Sequence, residues 1–199
     1  MDVPMNDLRQ IDAFCVLDFD ARLEREAMEQ IAGGIAALFD IETPRERIGL
    51  IVVSDNAGTA TSVQFWSDAV ATGVAVASPE LFPWCLANAP CGALARRFHI
   101  TGPNSTLLGE SDALLAALDT AADQITQRQV DKAVIVVLSF ANGHRGGKVL
   151  ALRVCAHAGR HALDLGALST LVTLTNTVPL RAAIDMLRGQ LNGCSNRFV

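Results

Sequence analysis

The sequence has no excess of positive charge and no long apolar run. Its 199 residues include 16 Lys and Arg against 21 Asp and Glu, giving a net charge of −5 and a pI of about 5.3. This balance argues against nucleic acid or an anionic membrane surface as the main partner. No apolar run approaches the roughly 20 residues that cross a bilayer, so we expect no membrane insertion. The start, MDVPMNDLRQ, lacks the basic and apolar regions of a secretory signal, and the expected location is the cytoplasm.

The sequence also lacks the cysteine spacing of zinc and redox sites, because no CxxC pair occurs. In a reducing compartment we expect free, mostly buried thiols rather than disulfides. The five cysteines are Cys15, Cys85, Cys91, Cys155 and Cys194. His157 and His161 have the i, i+4 spacing that can hold a metal on a helix, but no Glu lies between them and no third ligand is evident. The sequence therefore predicts neither a metal site nor a cofactor.

Half of the residues are hydrophobic, and their spacing alternates between helical periodicity and continuous apolar runs. The length suits one domain with a proper core. The predicted helices cover residues 20–39, 59–73 and 89–98, and the predicted strands cover residues 47–54, 133–140 and 148–156. This pattern predicts a layered α/β domain with its core over residues 20–156. Residues 157–199 read as a helical appendage, with the helix over 163–191 broken near Pro179.

The most informative stretch runs from Phe98 to Val137. A short apolar run over residues 105–108 leads into the turn Gly109-Glu110-Ser111, and a helix is predicted from Ser111, which is a good N-cap residue. The apolar residues of this helix are Leu114, Leu115, Leu118, Ala121, Ala122 and Ile125. A strand-turn-helix of this kind places one side chain at a helix N-terminus, where nucleophiles and oxyanions are stabilised.

The same stretch resembles the nucleophile segment of the β-ketoacyl synthases, within the thiolase-like superfamily. Members carry Gly-Pro, a short strand, a Thr-Ala-Cys turn and an alanine- and leucine-rich helix, and Gly102-Pro103 matches the first of these. Upstream, Ser78-Pro79, Phe82-Pro83 and Asn88-Ala89 resemble the family's approach to Gly-Pro. The resemblance implies half of a thiolase-like fold, a ketosynthase-type N-terminal domain with a mixed sheet between helices.

The departures from the family are as informative as the matches. Aligned on Gly102-Pro103, the family's cysteine falls on Ser111, with Glu110 before it. This is similar to the chain length factors, ketosynthase-like partner subunits in which Glu is followed by a residue other than cysteine. The His-Gly-Thr-Gly-Thr and Asn-x-Phe-Gly-Phe-Gly segments of the family's second half are missing, and its first strand is not recognisable in residues 1–19. The chain thus resembles the short ketosynthase-like proteins of aryl polyene and related polyketide gene clusters.

The resemblance implies an acyl-tunnel segment. Phe82, Trp84, Cys85 and Leu86 correspond to residues that line the tunnel for the growing acyl chain near the dimer interface. Bulky side chains there would limit the length of that chain. Ordinary core packing is the alternative interpretation of the same residues.

The resemblance also implies a dimer interface. Asn104 to Leu108, with Thr106 at the centre, correspond to the strand that pairs across the family's dimer interface. A partner at this strand would also protect an otherwise exposed sheet edge. Glu110 would face the active site of the partner.

Three functional hypotheses follow. The leading one is a non-catalytic, chain-length-factor-like subunit that forms a heterodimer with a β-ketoacyl synthase in polyketide, aryl polyene or fatty-acyl elongation, with acyl carrier protein as a further partner. The second is a small acyltransferase or hydrolase that uses Ser111, or less favourably Cys91, although no histidine lies in a family base motif. The histidines are His99, His144, His157 and His161. The third is a homodimeric module that binds acyl chains or carrier protein.

Overall fold

The computed structural model describes residues 10–39, 42–141, 146–156, 163–164 and 178–194. The strands are β1 (Gln10–Phe19), β2 (Ile48–Ser54), β3 (Asn104–Leu108), β4 (Lys132–Phe140), β5 (Gly147–Cys155) and β6 (Leu163–Asp164). The α-helices are α1 (Glu24–Ile35), α2 (Thr59–Thr72), α3 (Ala89–Arg97), α4 (Ser111–Thr126) and α5 (Leu180–Cys194). None of the helices in this part of the chain is long and apolar enough to span a bilayer.

The strands form one mixed sheet in the order β3-β2-β4-β5-β1-β6. β2 pairs in parallel with both β3 and β4, whereas β5 is antiparallel to β4 and to β1. All seven residues of β2 are buried, as its continuous apolar sequence predicts for a strand covered on both faces. The predicted layered α/β fold with a mixed sheet is confirmed, including the antiparallel pair of β4 and β5.

The sequence showed no recognisable strand in the first 19 residues, whereas the structure has β1 at Gln10–Phe19. β1 lacks a clear alternating pattern since only Ile11 and Phe19 are buried along it. Its register shifts between Ile11 and Ala13, at Asp12. The carboxylate of Asp12 binds Arg153 of β5, with Nε to Oδ1 at 2.8 Å and Nη2 to Oδ2 at 2.9 Å. A long-range ion pair therefore accommodates a charge that obscures the strand in the sequence.

The two faces of the sheet carry separate sets of helices. α4 and α5 cover one face, and α1 and α3 cover the other. α5 contributes four apolar side chains to the core that it shares with α4, and each is at most 1% exposed. They are Leu180, Ile184, Leu187 and Leu191.

The C-terminal prediction was therefore wrong in two respects. α5 packs into the core rather than forming an appendage, and Leu163–Asp164 is a strand paired with β1 rather than part of a helix. The predicted break at Pro179 is where α5 begins, because proline is compatible with the start of a helix and not with its interior. Residues on both sides of the expected core of residues 20–156 thus contribute to the sheet and its packing.

α2 is attached to the fold differently from the other helices. Only Thr61 and Ala69 of its 14 residues are buried. Glu24 of α1, itself fully buried, accepts hydrogen bonds at Oε2 from the backbone N–H of Thr61 at 3.2 Å and from the Thr61 hydroxyl. One carboxylate thus satisfies donors in the first turn of α2 and fixes where this helix starts.

Candidate functional site

The turn between β3 and α4 is built on a glycine. Gly109 has φ +151°, a conformation that side chains disfavour, and a Cβ there would lie 3.0 Å from the Cβ of Ala113. α4 begins at Ser111, with Glu110 as its N-cap residue. The prediction that Ser111 caps the helix was therefore wrong by one position, because Ser111 already has helical geometry.

Ser111 is buried at the start of α4. Its side chain is 0% exposed, so an acyl thioester in solvent does not reach it. His99, the histidine within the described residues, precedes β3, whereas Ser111 follows it. His144, His157 and His161 lie outside the described residues.

Glu110 makes a contact that the sequence does not reveal. Its Oε2 accepts a hydrogen bond from the backbone N–H of Leu180, the first residue of α5, at 2.6 Å. The backbone N–H of Glu110 donates in turn to Oδ1 of Asp112 at 3.1 Å. The turn that carries the nucleophile in the resembled family thus holds the start of another helix here.

Two polar residues beside this turn were missed by the sequence reasoning. The hydroxyl of Ser139, at the end of β4, donates to Oδ2 of Asp55, just after β2, at 2.7 Å. Burial raises the pKa of the Asp55 carboxyl; the Ser139 hydrogen bond opposes this rise, and the charge of Glu110 adds to it. Polar residues at the carboxyl ends of buried parallel strands were the available signal, since those strand ends meet at one edge of the sheet. Among the described residues, no group of three His, Cys, Asp or Glu could hold a metal ion.

The predicted tunnel segment packs as a short 3-10 turn over Phe82–Cys85. Phe82 is 57% exposed, and its ring lies 5.8 Å from that of Phe65 on α2. The Cys85 carbonyl accepts a hydrogen bond from the Ser62 hydroxyl at 3.4 Å, and Leu86 is exposed. Trp84 turns the other way and lines a cavity between α1 and α3. The structure therefore divides these residues between two locations.

Phe82 and Leu86 belong to a larger apolar surface that runs along α2. We call it the α2 apolar surface; its residues, each more than half exposed, are Val63, Trp66, Val70, Val74, Val76, Phe82 and Leu86. No Lys or Arg occurs between residues 48 and 95. An exposed apolar patch without Lys or Arg is typical of a protein–protein interface.

The predicted interface strand lies at the edge of the sheet. β3 pairs with β2 on one side and is the first strand in the sheet order, so its other edge is open among the described residues. Asn104 and Leu108 are exposed, and Thr106 is half-buried between them. α3 contacts both β3 and the Phe82–Cys85 turn, which connects the open edge to the α2 apolar surface through one helix.

Cys91, the alternative nucleophile, lies on α3 and is 2% exposed. Burial raises the pKa of its thiol, with weaker opposing contributions from Thr106 and Ser105. A buried thiol with a raised pKa is protonated at neutral pH and is a poor nucleophile. The two nucleophiles named in the second functional hypothesis, Ser111 and Cys91, are thus both buried.

Known proteins resemble this chain in fold and not in sequence. No family model and no curated protein matches this sequence. Solved structures do match. The ishigamide ketosynthase/chain length factor aligns with a TM-score of 0.54 and 15% identity, covering 74% of this chain and 62% of that one. The ketosynthase ApeO in complex with its chain length factor ApeC, from Xenorhabdus doucetiae, aligns with a TM-score of 0.54 and 16% identity, covering 70% and 59%.

A third structure is AntDE:AntF, a type II polyketide synthase acyl-carrier protein in complex with its ketosynthase. It aligns with a TM-score of 0.56 and 9% identity, covering 77% of this chain and 59% of that one. The chain has a ketosynthase-type fold. This confirms the thiolase-like architecture that the resemblance implied. The chain spans about three-fifths of the length of these three structures, between 59% and 62%.

Proposed function

We propose that this chain is a non-catalytic, chain-length-factor-like subunit that forms a heterodimer with a cysteine-bearing β-ketoacyl synthase. The whole chain would act as one ketosynthase-type N-terminal domain in polyketide, aryl polyene or fatty-acyl elongation. The open edge of β3, linked to the α2 apolar surface, is the observation that carries this proposal. The similar solved structures, which include ketosynthases with chain length factors, support it.

The nucleophile turn supports a non-catalytic role. Ser111 is buried, and Glu110 binds the start of α5 instead of projecting from the turn. Carbon–carbon bond formation on carrier-protein thioesters would then belong to the partner, which supplies the cysteine. Acyl carrier protein would accordingly be a partner of the assembled pair.

The exposed surfaces support a protein partner. An open strand edge presents unpaired N–H and C=O groups, which favour pairing with another strand. Val70 is 84% exposed and Trp66 is 60% exposed, so water contacts large apolar areas in the isolated chain. Burying both features in one interface satisfies the hydrogen bonds and removes the apolar area from water. Phe82 and Leu86 project from this surface, where they would meet the partner's acyl tunnel.

Co-expression with the ketosynthase encoded beside it tests the proposal. We expect a one-to-one complex on co-purification, with its mass measured under native conditions. Val70→Arg and Leu108→Arg place a charge in the proposed interface and should abolish the complex. Both residues are more than half exposed, so the isolated variants should keep their stability.

Met186→Arg is the matched control. Met186 is another exposed apolar residue, on α5, which covers the opposite face of the sheet from α1 and α3. This variant should co-purify with the ketosynthase as the wild type does. A stable monomer that never co-purifies would contradict the proposal, and a homodimer that resists the ketosynthase would favour the third hypothesis.

A further inference from the structure

A cavity of about 400 Å³ lies between α1 and α3, and its lining residues belong neither to β3 nor to the nucleophile turn. Its volume falls in the range of about 300–1,000 Å³ that is typical of small-molecule sites. The lining residues are Arg25, Met28, Glu29, Ala32, Trp84, Ala93, Leu94 and Arg97. Neither the ketosynthase partner nor the missing cysteine explains this cavity.

The floor of the cavity is apolar and ordered. Met28 and Ala32 of α1 and Leu94 of α3 are all buried, at 4%, 7% and 1% exposure. Trp84 is half-buried and forms a wall. An apolar chain placed here would be covered on several sides by side chains that are already fixed by packing.

The rim of the cavity carries two arginines. Arg25 and Arg97 line it together with a single carboxylate, Glu29. Arg25 pairs with exposed Glu80 at 3.4 Å, a weak surface contact. Arg97 makes no hydrogen bond or ion pair with any other described residue, so its guanidinium is available for an anion.

A role at the end of α3 is an alternative explanation for the position of Arg97, and Arg96 provides a control for it. Arg96 and Arg97 both stand in the last turn of α3, where positive charge favours the helix dipole. Only Arg97 of these two lines the cavity. A role at the helix end would be shared by both arginines, whereas a role in the cavity would belong to Arg97.

We propose that this cavity binds a small amphipathic anion, with its apolar chain on the floor beside Trp84 and its carboxylate or phosphate held by Arg97 and Arg25. A guanidinium forms paired, charge-assisted hydrogen bonds with either anion. The site goes beyond the proposed heterodimer and does not depend on it.

Tryptophan fluorescence provides a direct test, because the chain has two tryptophans. In Trp66→Phe, Trp84 is the only one left, and its signal reports on the cavity wall. We expect saturable changes with octanoate, octyl phosphate or both, and the tighter of the two identifies the preferred anion. Acetate, which lacks the chain, and octyltrimethylammonium, which reverses the charge, should give no saturable change.

Variants in the Trp66→Phe background separate the contribution of each arginine to binding from that of the apolar cavity. Arg97→Gln should weaken binding about tenfold, the loss expected for a charge-assisted contact. Ala93→Leu should prevent binding by filling the cavity while both arginines remain. Arg96→Gln should bind as the parent does, and circular dichroism and thermal midpoints should match for all variants.

Three results would overturn the proposal: no saturation with either anion, equal binding of the cation, or equal losses in Arg96→Gln and Arg97→Gln. None of these would affect co-purification with the ketosynthase. A failure of the heterodimer would likewise leave this binding intact, so the two proposals fail separately.

Discussion

Replacing Glu110 by alanine tests whether this carboxylate serves the fold of the chain itself. Glu110 accepts the backbone N–H of Leu180 at 2.6 Å, at the first residue of α5. The first four N–H groups of an α-helix have no partner within the helix. Glu110 therefore does for α5 what an N-cap side chain does, although it lies 70 residues earlier in the sequence.

The expected loss follows from known helix caps. Removing a side-chain cap costs about 1 kcal/mol, and a negative charge at a helix N-terminus contributes about 0.3–1 kcal/mol before screening. Because Glu110 is exposed, solvent screens most of the charge contribution. We expect Glu110→Ala to lose about 1 kcal/mol of unfolding free energy. Glu110→Gln should lose about half as much, since it keeps an acceptor oxygen.

Urea denaturation measures the global loss, and amide hydrogen exchange over residues 180–183 measures the local one. A change of about 1 kcal/mol corresponds to roughly fivefold faster exchange in the first turn of α5. The fold itself should persist, because Ile184 and Leu187 of α5 remain buried in the core. Asp119→Ala, an exposed acidic residue on α4, is the control and should change stability by less than about 0.5 kcal/mol.

A capping role for Glu110 would be refuted if Glu110→Ala lost no more stability than Asp119→Ala and left exchange at Leu180 unchanged. Glu110 would then be free to face a partner's active site, as the family resemblance implied. If stability falls as expected while the heterodimer still forms, the contact with α5 is the main role of this carboxylate.

Two further predictions concern a half-buried residue and a buried one. The pKa of Asp55 is raised in the folded chain. Between about pH 4 and this raised pKa, the native state therefore holds a proton that the unfolded chain has released. The contribution of Asp55 to stability falls as the pH rises through this window. Asp55→Asn should remove that fall, and its stability relative to wild type should increase with pH in urea titrations; a constant difference would contradict the assignment. Ile184→Ala should cost about 2–5 kcal/mol, because Ile184 is 0% exposed in the core shared with α4. A thermal or urea midpoint close to that of wild type would instead make α5 an appendage.

Local sequence signals were sufficient for much of the fold. The run from Ile48 to Ser54 is apolar throughout and forms a strand that is buried on both faces. The apolar positions of α4 recur with helical spacing, and its buried side includes Leu114, Leu118 and Ile125. Gly109 marked the turn before α4, because its conformation is one that other residues disfavour. Each of these features depends on neighbours a few residues apart, which the sequence shows directly.

Other features depended on partners far along the chain. Asp12 interrupts the apolar pattern of β1, and Arg153, which neutralises it, is 141 residues away. Nothing near Glu110 indicates that its carboxylate meets Leu180. The pair Asp55 and Ser139 comes together only because β2 and β4 are parallel neighbours.

The sequence by itself therefore determined the α/β class, most of the strands and helices, and the absence of a cysteine at the nucleophile turn. The tertiary structure alone decided that Ser111 is buried, that α5 completes the core, and that Trp84 faces a cavity rather than the α2 apolar surface. The reason is physical: periodicity and turn chemistry act between near neighbours, whereas burial, ion pairing and capping across elements depend on which surfaces the whole fold brings together.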